Sequence, residues 1–259
     1  MKKFISVLCL MLLLITSISA NVYAEENTFT KIKLGDLYVN VPYSKNDITV
    51  EYETNSIEVK ATIKDKYTGK ILGIHGEYLP TLENLPKEIL QQLPENMQIR
   101  ANELKQSTYN KSIMQLAQGN YFNKIVYSDC IVGTGDLAAT ARLYCDFEYY
   151  TYYNYRNITK IIDHYWRPVA GNFDMGYPTS NAIIQSDNLS IKVYGGCSLE
   201  KRITITTTDE TQYEGGVHIT IKKIIEAGGS VTKVSSTSTT ETYIMRYTIN
   251  NFQYFYSIG

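Results

Sequence analysis

One cysteine and two histidines are the residues whose types best suit covalent chemistry in this chain. Cys197 follows a Gly-Gly pair, and His164 or His218 could act as the base that activates its thiol. A nucleophilic cysteine commonly begins a helix, because the positive end of the helix lowers the pKa of the thiol. Residues 199–205 instead alternate as a strand does. The pattern therefore favours a buried cysteine over a catalytic one.

Carboxylates offer a second candidate chemistry. Asp146 and Glu148 share one face of a predicted strand, and such a pair could serve the hydrolysis of a glycosidic bond. A solvated sheet face explains the same pattern, and we favour this interpretation. The three histidines have no metal-ligand spacing, and no Asp-rich calcium loop is present. We therefore expect no metal, no cofactor and no enzymatic activity; a hydrolase of cell-wall or host polymers is an alternative.

Aromatic side chains concentrate in the middle of the chain, around residues 144–166. On the strand predicted over residues 138–153, one face is apolar and the other mixes charged and aromatic side chains. Exposed rings beside carboxylates can stack on a flat ligand such as a sugar, but cross-strand ring pairs also stabilise a sheet. The candidate binding residues are Tyr144, Tyr150, Tyr152 and Trp166.

Three cysteines follow the first two dozen residues: Cys130, Cys145 and Cys197. The strand pattern points Cys145 and Cys197 at a core, and we expect any disulfide to join these two. An odd number of cysteines leaves at least one thiol over. Three small buried thiols without any bridge are the alternative.

The first 24 residues predict export. Two lysines precede an apolar run of about a dozen residues, which is too short to span a bilayer, and Val22-Tyr23-Ala24 fits a cleavage site. Residues 1–24 are therefore expected to be a signal peptide of bacterial type, with a secreted product and no transmembrane segment in the mature chain. The formal net charge of −1 argues against a nucleic-acid partner.

The remaining pattern predicts an α+β protein that is mainly β. Residues 25–119 read as a β-hairpin followed by short helices, in which Met97, Ala101 and Leu104 share one helical face. Residues 120–259 read as an antiparallel β-sandwich with glycine-containing turns. Within them, strands at 215–226 and 231–250 are expected to form one long hairpin.

These patterns lead to one functional expectation and one further alternative. We expect a secreted, non-catalytic binding or surface-interaction protein whose aromatic sheet face contacts a glycan or a protein at a cell surface. A β-pore-forming toxin that inserts the 215–250 hairpin is the alternative, although both faces of residues 235–242 are polar, whereas a membrane strand needs one apolar face.

Overall fold

The computed structural model describes residues 29–79, 84, 86–91, 95, 98, 99, 101–103, 120–206, 211–214, 217–237 and 239–258. The predicted signal peptide and most of the predicted helical segment lie outside these residues, including Met97 and Leu104. Within the described part of the chain, strands dominate and every pairing is antiparallel, as the sequence pattern predicts.

Two six-stranded sheets form the molecule, and strands are numbered along the chain. Sheet A has the order β1 (Thr30–Leu34), β2 (Leu37–Val41), β14 (Thr240–Ile258), β10 (Ser190–Thr206) and β9 (Asp174–Ile184), with β13 (Ser230–Ser236) also paired to β14. Sheet B has the order β3 (Ile48–Thr54), β4 (Glu58–Asp65), β5 (Ile71–Tyr78), β6 (Asn120–Val132), β7 (Ala139–Tyr152) and β8 (Tyr155–Ala170). The remaining elements are the pair β11 (Thr211–Glu214) and β12 (Val217–Thr220) and the helices α1 (Lys87–Leu90) and α2 (Ile221–Glu226).

Tyrosines of β14 join the two sheets into a sandwich-like pair of layers. The buried Tyr254 hydroxyl donates a hydrogen bond to the carbonyl oxygen of Leu143 on β7, at 3.0 Å. The Tyr256 hydroxyl lies 3.1 Å and 2.9 Å from the carbonyl oxygens of Gly76 and Tyr127 on sheet B. One large apolar cluster, with side chains from both sheets, fills the space between the layers. Because their hydroxyls are paired, these tyrosines can fill the core without leaving a buried polar atom unsatisfied.

Both sheets contain strands from each of the two regions that the sequence pattern separated near residue 120. The early strand β2 pairs with the C-terminal end of β14, where Val39 lies opposite Tyr256. In sheet B, β5 pairs with β6 across the segment between them, where His75 lies opposite Ser128. Residues 30–78 are thus integral parts of both layers.

The long hairpin predicted over residues 215–250 has a different form in the structure. β12 ends at Thr220, whose side chain caps α2 by accepting a hydrogen bond from the Lys223 backbone amide, at 3.1 Å. Ile221 and Ile224 are three positions apart, which is the spacing of one helical face and not of one strand face, and Ile224 is fully buried. The hairpin that does form joins β13 to β14, so helix α2 replaces half of the predicted first strand.

A second, smaller core lies on the outer face of sheet B. The buried side chains of Leu90 in α1 and Ala101 pack with Tyr144, Tyr127 and Ile125 of the sheet. Tyr144 also stacks on Tyr165 of the neighbouring strand, with ring centroids 4.8 Å apart. Described parts of the predicted helical segment therefore cover this part of the sheet face.

Candidate functional site

Five tyrosines of sheet B gather where β7 turns into β8. β6 begins beside this turn, because Tyr121 lies opposite Tyr150, and Tyr152 lies opposite Tyr155 across the turn. We call the group the tyrosine patch: Tyr121, Tyr150, Tyr152, Tyr153 and Tyr155. All but the half-buried Tyr150 are exposed, and the exposed fraction reaches 88% at Tyr153.

Contacts between the rings hold the tyrosine patch together. Tyr150 is the centre, with its ring centroid 5.0 Å from that of Tyr121 and 6.2 Å from that of Tyr155. At the tip of the hairpin, Tyr152 and Tyr153 pack edge to face with centroids 4.6 Å apart. Tilted and edge-to-face pairs are the geometries that aromatic rings prefer, so the rings support one another while still facing solvent.

The backbone at Tyr153 is strained. Its φ of 51° lies in the left-handed region, where a side chain is unfavourable and glycine or asparagine is usual. The strain of such a residue is on the order of 1–3 kcal/mol, and residues of this kind concentrate at ligand contacts. Tyr153 therefore stabilises the turn less than a glycine would, while placing its ring almost entirely in solvent.

A shallow groove of about 570 Å³ runs beside the patch. Tyr153 and Tyr155 form part of its wall, and Ile258 at the end of β14 lies across from the turn at residues 187–189. Two backbone hydrogen bonds attach this turn to β8 and β14. The Ile158 amide donates to the carbonyl oxygen of Asn188, and the Ile258 amide donates to that of Leu189. The turn at residues 187–189 is thus held in place at one side of the groove.

Polar side chains supply the rest of the groove. The buried Oδ1 atom of Asn157 has no hydrogen-bond partner among the described residues, while the exposed Arg156 side chain brings several donors. Slight burial works against ionisation of Asp187, yet hydrogen bonds from Leu189 and Ser190 hold its pKa below the ordinary value. The groove therefore combines flat rings with an acceptor, a cation and an anion.

The four aromatic residues predicted from the sequence do not share one exposed surface. Tyr150 and Tyr152 belong to the tyrosine patch. Tyr144 is 6% exposed and lies on the same face of sheet B, under the helical residues. Trp166 is also 6% exposed but faces the other sheet, where its Nε1 donates a hydrogen bond to the carbonyl oxygen of Thr179, at 2.9 Å.

Tyr121, Tyr153 and Tyr155 were not among the predicted site residues. The signal that could have identified Tyr153 and Tyr155 is the segment 152–155, in which Tyr152 and Tyr155 flank a tight turn formed by Tyr153 and Asn154. A tight turn brings the strand ends together, so tyrosines just before and just after it must lie side by side.

The candidate catalytic residues have structural partners. The Nδ1 atom of His164 lies 2.9 Å from the Ser180 hydroxyl, and the Thr159 hydroxyl donates a hydrogen bond to Glu148. Asp146 is fully buried and so is not part of a solvated face. Within the described ranges, no group of three metal-ligating side chains comes together, and no helix there is long and apolar enough to cross a membrane.

Cys130, Cys145 and Cys197 are free thiols in the structure, in line with the alternative of three thiols without a bridge. Cys145 and Cys197 have different surroundings: Cys145 lies near Asp146 and Asp163, while the thiol of Cys197 interacts electrostatically with that of Cys130. Burial raises the pKa of Cys130 to about 11 and that of Cys197 to about 12.

We predict that the native protein resists thiol alkylation at pH 8. Burial keeps the thiols protonated, and only a thiolate reacts quickly; Cys145, which is fully buried, should remain unmodified. Mass spectrometry should find all three thiols alkylated once the protein is unfolded without a reductant. A linked Cys145–Cys197 peptide in the non-reduced digest would contradict this arrangement.

No protein-family model matches this chain, and no curated protein shows significant similarity to it.

Proposed function

We propose that this chain is a secreted, non-catalytic binding protein that holds a carbohydrate chain in the groove beside the tyrosine patch. The observation that carries the proposal is one juxtaposition. Exposed rings of Tyr153 and Tyr155 line the same groove as Asn157, whose buried Oδ1 atom has no hydrogen-bond partner among the described residues. Aromatic rings supply contact area with little loss of side-chain entropy, and fixed polar groups select the ligand.

The composition of the groove favours a sugar over other ligands of similar size. It is shallow and open, so a deeply buried apolar ligand has no enclosed space there. A pyranose presents a flat C–H face to a ring and hydroxyls at its edge. The exposed Arg156 side chain can donate hydrogen bonds to these hydroxyls. An uncharged ligand also avoids repulsion from either Arg156 or the ionised Asp187.

We expect Tyr153→Gly to weaken carbohydrate binding without destabilising the fold. Glycine relieves the backbone strain at this position, whereas loss of a stacked ring weakens ligand binding by about 1 kcal/mol or more. Titration calorimetry with tetrasaccharides of N-acetylglucosamine, glucose and mannose should therefore show at least about fivefold weaker binding. Tyr155→Ala should have a similar effect on affinity.

Tyr177 provides the matched control. It is 82% exposed and also has a positive φ, of 49°, but it does not line the groove. Tyr177→Gly should bind the same tetrasaccharide as tightly as the unchanged protein. If Tyr153→Gly and Tyr155→Ala keep full affinity, or if no tetrasaccharide binds the unchanged protein, the groove is not a carbohydrate site.

A further inference from the structure

A deeper cleft opens between the two sheets, away from the tyrosine patch. The ladder between β5 and β6 includes only Ile74–Glu77 and Val126–Asp129. Beyond it, residues 71–73 and 130–132 both line the cleft without pairing to each other, and residues 248–255 of β14 form the opposite wall. The volume is about 670 Å³, within the range of small-molecule sites in proteins.

The lining of this interlayer cleft combines apolar and aromatic side chains with uncharged polar ones, among them Asn40, Asn250 and Gln253. Rings come from both ends of the chain, namely Phe29, Tyr43, Phe252, Tyr254 and Phe255. The described lining contains one carboxylate, that of Asp129, which accepts two hydrogen bonds from Arg142 at 2.5 Å and 2.9 Å. Because this charge is already compensated, the cleft offers a charged ligand no counter-ion.

Among the described residues that line the cleft, His75 is the one whose side chain has a buried polar atom without a partner. It is 8% exposed, and its Nδ1 atom has no hydrogen-bond partner in the described part of the chain. Burial lowers the pKa of His75 to about 4, so the imidazole is neutral at pH 7. Since Nδ1 has no acceptor within reach, the ring proton is assigned to Nε2.

Gly73 leaves the Nε2 edge of this imidazole uncovered. A β-carbon at Gly73 would lie 3.1 Å from His75 Nε2, which is tighter than ordinary packing. Both residues line the cleft, and the His75 ring is set against the ring of Tyr254 with centroids 6.4 Å apart. The result is a directed donor beside a ring in a cleft whose other polar lining residues are Asn40, Ser128, Asp129, Thr248, Asn250, Asn251 and Gln253.

We infer that the interlayer cleft binds an uncharged aromatic small molecule that carries one oxygen acceptor, and that His75 Nε2 donates a hydrogen bond to that oxygen. The rings of the lining suit an aromatic body, which they can meet edge to face. The described lining has no uncompensated charge. An ionic head group would therefore lose its hydration without gaining a counter-ion, which excludes it as a ligand. This site is separate from the carbohydrate groove and does not depend on it.

The test uses the neutral naphthalene ketone Prodan, whose emission moves to shorter wavelength in an apolar site. Titration of the full mature protein should give a saturable blue shift. Acetylnaphthalene, which has the oxygen acceptor, should displace the dye roughly five- to tenfold more effectively than ethylnaphthalene, which lacks it. In the His75→Phe variant, acetylnaphthalene should displace the dye no better than ethylnaphthalene. Ethylnaphthalene itself should compete as well as it does with the unchanged protein.

Two further variants keep the result interpretable. Gly73→Ala places a methyl group at the Nε2 edge and should weaken acetylnaphthalene more than ethylnaphthalene, so it serves even if His75→Phe does not fold. His164→Phe changes a histidine outside the cleft and should leave both competitors unaffected. A non-saturable response, or equal competition by the two naphthalenes in the unchanged protein, would overturn the inference.

Discussion

Replacing Lys124 by methionine is expected to destabilise the fold by about 3–5 kcal/mol. The Lys124 side chain is 6% exposed and forms an ion pair with Glu77, which is fully buried. Burial raises the pKa of Glu77 despite the opposing effect of Lys124. Without the ammonium group, Glu77 must either stay charged in a medium that solvates it poorly or take up a proton. Urea unfolding followed by the fluorescence of the single tryptophan, Trp166, measures the loss.

Two comparisons separate the loss of the charge pair from the loss of packing. The double variant Glu77→Gln with Lys124→Met should recover much of the stability, because no uncompensated charge remains. Lys64→Met removes a surface partner of Glu51, whose side chain is 60% exposed, and should change stability by less than about 1 kcal/mol. A loss below about 1 kcal/mol for Lys124→Met would mean that water reaches Glu77 in the folded protein.

Strand content was predictable because alternation is a local property of the chain. The pattern over residues 121–132 and 138–153 matches β6 and β7 closely, since both strands bury one face in a large core. Sheet order was not predictable in the same way. The pairing of β2 with β14 joins residues more than two hundred positions apart, and no local pattern specifies that partner.

The sheet face on which each predicted aromatic residue lies was equally hard to predict from local sequence. Tyr144 and Trp166 lie on adjacent strands, but the tight turn that sets Tyr152 opposite Tyr155 pairs even positions of β7 with odd positions of β8. Trp166 therefore lies opposite Leu143 and faces the core, while Tyr144 faces outward. Bulges after Asp146 and Glu148 shift the register by two in total, which keeps this parity. Only knowledge of the turn could have divided the predicted aromatic set correctly.

Acidification is expected to destabilise the protein through His75. The group has a pKa of about 4 in the folded protein against an ordinary value of 6.5, because burial opposes its charged form. Below pH 6.5 the unfolded chain binds a proton that the folded chain refuses, so stability falls as the pH falls. The effect is fully absent above pH 6.5 and reaches about 3 kcal/mol near pH 4, at about 1.4 kcal/mol per pH unit.

The variant His75→Phe isolates this contribution. Burial raises the pKa of Asp129, although Arg142 opposes the shift. Carboxylates such as this one titrate in both proteins, so their contributions largely cancel in the difference. The free energy of unfolding of the unchanged protein relative to His75→Phe should therefore decrease by about 2–3 kcal/mol between pH 7 and pH 4.5. A difference that is flat with pH for His75→Phe would mean that the imidazole charges without unfolding, and hence that water enters the cleft as far as His75.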